Sequence, residues 1–185
     1  VTRAVPVELT VKGFSLPDAA GSKTMLMMST SDVNDRFIGV TWPNDGTVQG
    51  NAAKAVRDAF FKVAHRHKIS LINDDQVAGD QPSAEALARL NGSLFTAANG
   101  YRGPGENTPN DVYAIGPYGS WNWQSKGESG MDTHTNAWAQ WFATNAPSVE
   151  KFLYLIDESS NFPQTEQWAS WMKNNTGIGK NISSM

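Results

Sequence analysis

Two adjacent carboxylates, Asp157 and Glu158, follow directly on the apolar residues 152–156 in the stretch KFLYLIDESSNF. A pair of carboxyl groups is what glycosidic cleavage needs. One, protonated, gives its proton to the leaving oxygen, while the other, ionised, stabilises or orients. Adjacency helps to divide the roles, because like charges push each other's titrations apart. The plainer reading is that a loop after a strand begins with solvated acids, and the residue pattern leaves both readings open. A second polar step, Asn73, Asp74 and Asp75, ends the apolar residues 69–72. Asp74 can hold sugar hydroxyls there, although Asn and Asp also populate turns for backbone reasons.

Aromatic residues in loops are the next candidates. Trp42, Tyr118, Trp121 and Trp123 can each stack on the apolar face of a sugar and offer a polar handle to a hydroxyl. Trp121 and Trp123, set among Gly119, Ser120 and Asn122, lack helical spacing, so a core stripe explains them poorly. Trp138, Trp141, Trp168 and Trp171 do follow helical spacing and belong to a core. His65, Arg66 and His67 invite a metal reading, but they sit at a helix end where cations offset the dipole, and no third ligand is near in sequence. His134 falls at the start of a helix beside the Gly-rich loop. No Gly-x-Ser-x-Gly elbow and no Walker sequence is present, so serine-hydrolase and nucleotide readings have no support.

These residues must be placed by an alternation of strands and helices. Val5, Val7, Leu9 and Val11 alternate as a period-two strand ending at the Leu16-Pro17-Asp18 turn. Short apolar strands are expected at 25–28, 37–40, 69–72, 112–115 and 152–156, the first buried on both faces. Helical spacing joins Ala55, Val56, Ala59, Phe60, Val63, Ala64 and His67 into one stripe. Further helices are expected after Ser83, an N-cap, over the Trp138 segment, and after Pro163 at a first turn. Strand–helix alternation with continuously apolar strands predicts an α/β fold with parallel strands covered by helices. A doubly wound sheet and a (β/α)8 barrel both fit. The glycine fingerprint of a dinucleotide fold is missing, and long loops carrying Trp, Tyr, Asn and Asp after the strands favour the barrel.

The 185 residues suit one domain with a sizeable core. A complete barrel takes roughly 250 residues, so residues 21–185 are expected to form the N-terminal half of a (β/α)8 barrel. Residues 1–20 are then a junction strand from a preceding β-sandwich. The opening at Val1 and the close on GIGKNISSM, which reads as stopping where a new strand begins, suggest a piece of a longer chain. The formal charge is −3 and no basic block occurs, which argues against a nucleic-acid partner. No run approaches a membrane span. Cysteine is absent, so neither disulfides nor thiolate metal sites can arise.

Several segments together resemble a known family. The stretch VPVELTVKGFSLPDAAGSKTMLMM is similar to the junction in glycoside hydrolase family 123 and the related domain-of-unknown-function family 4091, where a β-sandwich ends in a Phe-x-Leu-Pro turn before the first barrel strand. FFKVAHRHKISL resembles their helix-and-strand segment with its His-Arg step. YLIDE resembles their hydrophobic strand ending in Asp-Glu, with Ser159 standing where the family commonly has Pro. The resemblance implies a (β/α)8 barrel that removes N-acetylhexosamine residues, N-acetylgalactosamine among the candidates, from glycans by substrate-assisted, retaining chemistry. Glu158 is then the acid/base and Asp157 the partner of the substrate's 2-acetamido group, with Asp74, Tyr118, Trp121 and Trp123 as substrate contacts. No metal or organic cofactor is implied. The expected partners are a glycan and the remaining half of the barrel in the parent chain, and the expected location is extracytoplasmic or secreted. The alternatives are a non-catalytic carbohydrate-binding or cell-surface scaffold with a degenerate barrel, and a purely structural envelope domain.

Overall fold

The computed structural model describes residues 2–18, 20–73 and 79–185. In chain order the elements are β1 (Met25–Met28), α1 (Thr30–Ile38), α2 (Val48–Arg66), β2 (Ser70–Asn73), α3 (Ala84–Leu90), β3 (Val112–Ile115), α4 (Gly127–Asn145), β4 (Glu150–Leu153), α5 (Phe162–Asn174) and β5 (Ser183–Ser184). The protein is thus a mixed α/β fold built on short parallel sheets. β1 pairs with β2, and β4 lies between β3 and β5. The described strands do not close into a barrel.

β2 and β3 lie side by side without a backbone ladder. The Ser70 hydroxyl joins them, accepting from the backbone N–H of Asp111 at 2.9 Å and of Val112 at 3.3 Å. Asn110 Nδ2 adds a bond to the Leu71 carbonyl at 3.4 Å.

Strand side chains alternate between two faces. Tyr113, Ile115 and Leu153 face a core built with Trp138, Phe142, Trp168 and Met172 of the helices. Met28 and Leu71 pack with Phe61, Leu94, Phe95 and Tyr101. On the opposite face Met25, Met27, Ile72, Val112, Ala114 and Phe152 form a cluster made of strand residues alone. The helix-face tryptophans follow expectation: Trp138 and Trp168 are buried, and Trp141 and Trp171 pack against the core from its margin.

Several sequence expectations need correction. Residues 37–40 form no strand: Phe37 and Ile38 are the last residues of α1, and the chain leaves the helix at Gly39. Ser29 caps α1 by accepting from Asp32 N, and Gly39 closes it in the left-handed region. Val5, Val7, Leu9 and Val11 enter no ladder and are each at least 80% exposed. Their alternation has the side-chain pattern of a strand, but a strand also needs a neighbour for its backbone groups. β1 is an edge strand whose Leu26 is half exposed, so it is not buried on both faces. The C-terminal stretch does find a partner: β5 pairs with β4 through Phe152↔Ser183 and Leu153↔Ser184.

The largest correction concerns α2. Ala55, Ala59, Phe60 and Val63 face outward, and the buried line is Ala53, Arg57, Phe61 and His65. Two polar residues occupy that line because each has a partner inside. Arg57 holds Glu85 in a two-point fork, Nε to Oε1 at 2.9 Å and Nη2 to Oε2 at 2.6 Å, and reaches Asn34 Oδ1 at 2.9 Å. His65 stacks flat on Phe95 at 3.6 Å and bonds the Gly105 carbonyl at 3.0 Å. Burial holds the His65 imidazole below its ordinary value, against the opposing pull of Gly105, Asn110 and Asp111.

Burial alone would raise the Glu85 carboxyl, but the Arg57 fork, aided by Arg89 and Lys54, brings it below its ordinary 4.5. A depressed carboxyl contributes stability above its unfolded value and loses it as pH falls through the folded value. Stability is therefore expected to decline below about pH 4.5 as Glu85 takes up a proton. Glu85→Gln should cost on the order of 1–3 kcal/mol near neutrality, since it takes the charged half of the fork away from a buried guanidinium, and should flatten that acid limb. Urea unfolding of both proteins across pH checks this. Equal acid limbs would remove Glu85 from the account.

Candidate functional site

Because the strands are parallel, the loops after them gather at one end. The loop after β3 starts at Gly116, whose φ of +62° suits glycine and whose added Cβ would sit 2.7 Å from Trp121 Cδ1. This close approach lets the loop fold back, so that Trp121 Nε1 donates to the Tyr154 carbonyl at 2.7 Å. Trp121 meets the Trp168 ring edge-on at 5.2 Å, and Trp123 lies parallel to the His134 ring at 5.2 Å and 14°. Both tryptophans are buried members of the main core. Their spacing suggested otherwise, because the burial comes from the fold-back at Gly116 and not from a helix. Both nonetheless line a cavity of about 300 Å³ together with Asp80, Ser120, Asn122 and His134.

Tyr118 and Tyr154 provide the more open aromatic surface. Tyr118 is 61% exposed, and the two rings lie 6.1 Å apart. Tyr154 continues from β4, its N–H bonded to the Ile115 carbonyl, and its hydroxyl donates to Asp157 Oδ1 at 2.7 Å. That bond stabilises the neutral phenol and raises its titration above the ordinary 10.0.

Asp157 and Glu158 are both exposed, just beyond β4 at the end where the other loops meet. Asp157 is tethered by Tyr154. Glu158 makes no side-chain hydrogen bond or ion pair with the described residues, and its backbone is held at φ +45°. Tyr118, at φ +57°, is the other non-glycine of these mouth loops in the left-handed region. Such a conformation costs about 1 kcal/mol and persists where the surroundings impose it. The acid pair and Tyr118 stand outside the 300 Å³ cavity; Trp121 is the wall they share with it through Tyr154.

The remaining candidates divide. Asp74 and Asp75 lie outside the described residues. Asn73 is buried and committed, donating to Thr30 Oγ1 and accepting from Arg89 Nη1. Trp42 is 53% exposed and lines a second cavity of about 220 Å³ with Asp45, Arg57, Asn73 and Glu85. His134 lies within α4, past its start, and its Nδ1 is 2.5 Å from Asp80 Oδ1. Sequence reading missed Tyr154 because it counted only as part of an apolar run. It missed Asp80 because that partner is 54 residues from His134. Among the described residues no group of three His, Asp or Glu side chains is arranged to hold a metal ion.

Compared with known proteins, the chain matches no family model, no curated protein and no solved structure.

The Tyr154–Asp157 bond makes a measurable claim. With tyrosine ring carbons labelled, the Tyr154 resonance should titrate above the normal phenol range, and Asp157→Ala should bring it down toward that range. A Tyr154 that titrates identically in both proteins would show that the bond does not form in solution.

Proposed function

We propose that the chain is part of a glycoside hydrolase-like (β/α)-barrel acting on N-acetylhexosaminide linkages, with Asp157 and Glu158 as its reaction centre. The observation that carries this is the tethered pair itself. Asp157 is fixed by Tyr154, beside the open Tyr118 ring, and Glu158 is held in a costly backbone conformation at the mouth of a parallel strand. Support for the barrel comes from the strand order, which follows the sequence, and from the cluster of strand residues that no helix covers. A doubly wound sheet reverses its order at a switch point and carries helices on both faces. In a barrel, the inward residues of neighbouring strands meet in layers. The open edges of β1 and β5 are where the remaining strands in the parent chain would pair.

In this reading the sugar rests on the Tyr118 and Tyr154 rings, stacking its apolar face. Asp157 accepts a hydrogen bond from the substrate's acetamido N–H, turning the carbonyl oxygen toward the anomeric carbon. That oxygen attacks as the glycosidic bond breaks, and Glu158 gives its proton to the departing oxygen. Water then opens the cyclic intermediate, losing a proton to Glu158 and restoring the acid. Asp74, next in sequence after β2, would contact sugar hydroxyls. Glycan processing of this kind suits an extracytoplasmic or secreted protein. No metal or organic cofactor takes part.

Glu158→Gln is expected to lower turnover of chromogenic N-acetylhexosaminides roughly 10²–10⁴-fold. The loss should be larger for a poor leaving group than for an activated phenol, which needs less protonation. Unchanged turnover on both would end the acid role. A second reading, a carbohydrate-binding scaffold without catalysis, is favoured by the exposure of both acids and by their absence from the lining of the 300 Å³ cavity. It predicts glycan binding that survives loss of both carboxylates and weakens when Tyr118 or Trp42 is replaced by Ala.

A further inference from the structure

The cavity lined by Trp121, Trp123, Asp80 and His134 is separate from the acid pair yet shares a wall with it. We propose that it is a subsite for a second, neutral sugar unit of the glycan, recognised through its hydroxyls by the Asp80–His134 pair. The assignment rests on the glycosidase reading for its place in the reaction, but its own evidence is independent of Asp157 and Glu158.

Size comes first. Ligand pockets run from roughly 300 to 1,000 Å³, so a space of about 300 Å³ takes one ring and little more. His134 is then fixed from two directions. Its Nδ1 faces Asp80 Oδ1 at 2.5 Å, and its ring lies parallel to Trp123. A carboxylate only accepts, so the proton sits on Nδ1, and in the neutral imidazole Nε2 is left as an acceptor. Nε2 has no hydrogen-bond partner among the described residues. Asn122 and Ser120 add groups that both donate and accept.

The chemistry of the lining selects the ligand. One face of Trp123 is already covered by His134, and both tryptophans are buried in the core, so little open ring face is left and polar side chains supply much of the lining. Recognition is therefore by hydrogen bonds to hydroxyls more than by stacking. Among the described residues no Lys or Arg lines the space and Asp80 does, which disfavours phosphate, sulfate or a carboxylated sugar. A neutral hexose unit satisfies the donors and acceptors and carries no opposing charge. The wall supplies the link to the acid pair: Trp121 Nε1 bonds the Tyr154 carbonyl, and the Tyr154 hydroxyl holds Asp157. A glycan can thus lie across Tyr154, with one unit in the cavity and its neighbour over the acids.

The test uses the 185-residue chain with labelled histidine and an N-acetylhexosamine disaccharide. Titration should move the His134 imidazole signal in the unaltered protein, which needs no variant and no turnover. His134→Gln and Asp80→Asn should each weaken disaccharide binding about tenfold, the loss of one hydrogen bond to a well-placed group. Glu158→Gln should still bind it. An imidazole signal that does not respond, or equal affinity in His134→Gln, overturns the subsite. If the signal moves and the two variants weaken binding while Glu158→Gln leaves turnover intact, the subsite stands and the acid-pair reading falls.

Discussion

The Ser70 hydroxyl holds together two sheets that share no backbone ladder. It accepts from two successive N–H groups at the start of β3 and so does the work of the missing strand pairing. Buried donors left without a partner cost about 1–3 kcal/mol each, so the seam between β2 and β3 leans on one small side chain, itself only 4% exposed, with the Asn110–Leu71 bond and the packing of Ile72 against Val112 and Ala114 beside it. The cavity at the other end of these strands straddles the same seam. Asp80 enters it from the loop after β2, while Trp121 and Trp123 enter from the loop after β3. Where β3 sits relative to β2 sets how those groups face each other, and Ser70 fixes that at the far end of the strands.

Much of the fold was legible in short-range pattern. The continuous apolar run at residues 112–115 forms β3, and Ser83 caps α3 by accepting from Ala86 N. What failed was the assumption that the inward face of a helix is its apolar face. On α2 the inward line includes Arg57 and His65, whose partners Glu85 and Gly105 are 28 and 40 residues away. No local window contains those partners, so the pattern chose Phe60 and Val63, which are exposed. The error at α1 was of another kind. Residues 37–40 were expected as a strand, although Ser29 and Gly39 cap the start and end of a helix that runs to Ile38.

The candidate site was legible in part for the same reasons. The strand expected at 152–156 is β4 at Glu150–Leu153, so it stops short of the acids, yet Asp157 and Glu158 still lie on the loop at the gathering end of the parallel strands. Tyr154 was hidden because a tyrosine inside an apolar run counts as hydrophobic, while its hydroxyl is what ties down Asp157. Trp121 and Trp123 were expected to be free platforms because no helical period explained them. A glycine turn can bury a side chain as effectively as a helix stripe, and Gly116 does this here. The open aromatic surface consequently falls to Tyr118 and Trp42.

The left-handed backbone at Glu158 has a consequence for how the position changes over generations. Glycine or asparagine would occupy that conformation at less cost, so drift toward either is favoured wherever a carboxylate confers no benefit. A lineage retaining Glu there gives up about 1 kcal/mol of stability. In a population selected only for thermal survival, Glu at position 158 is therefore expected to give way to Gly or Asn.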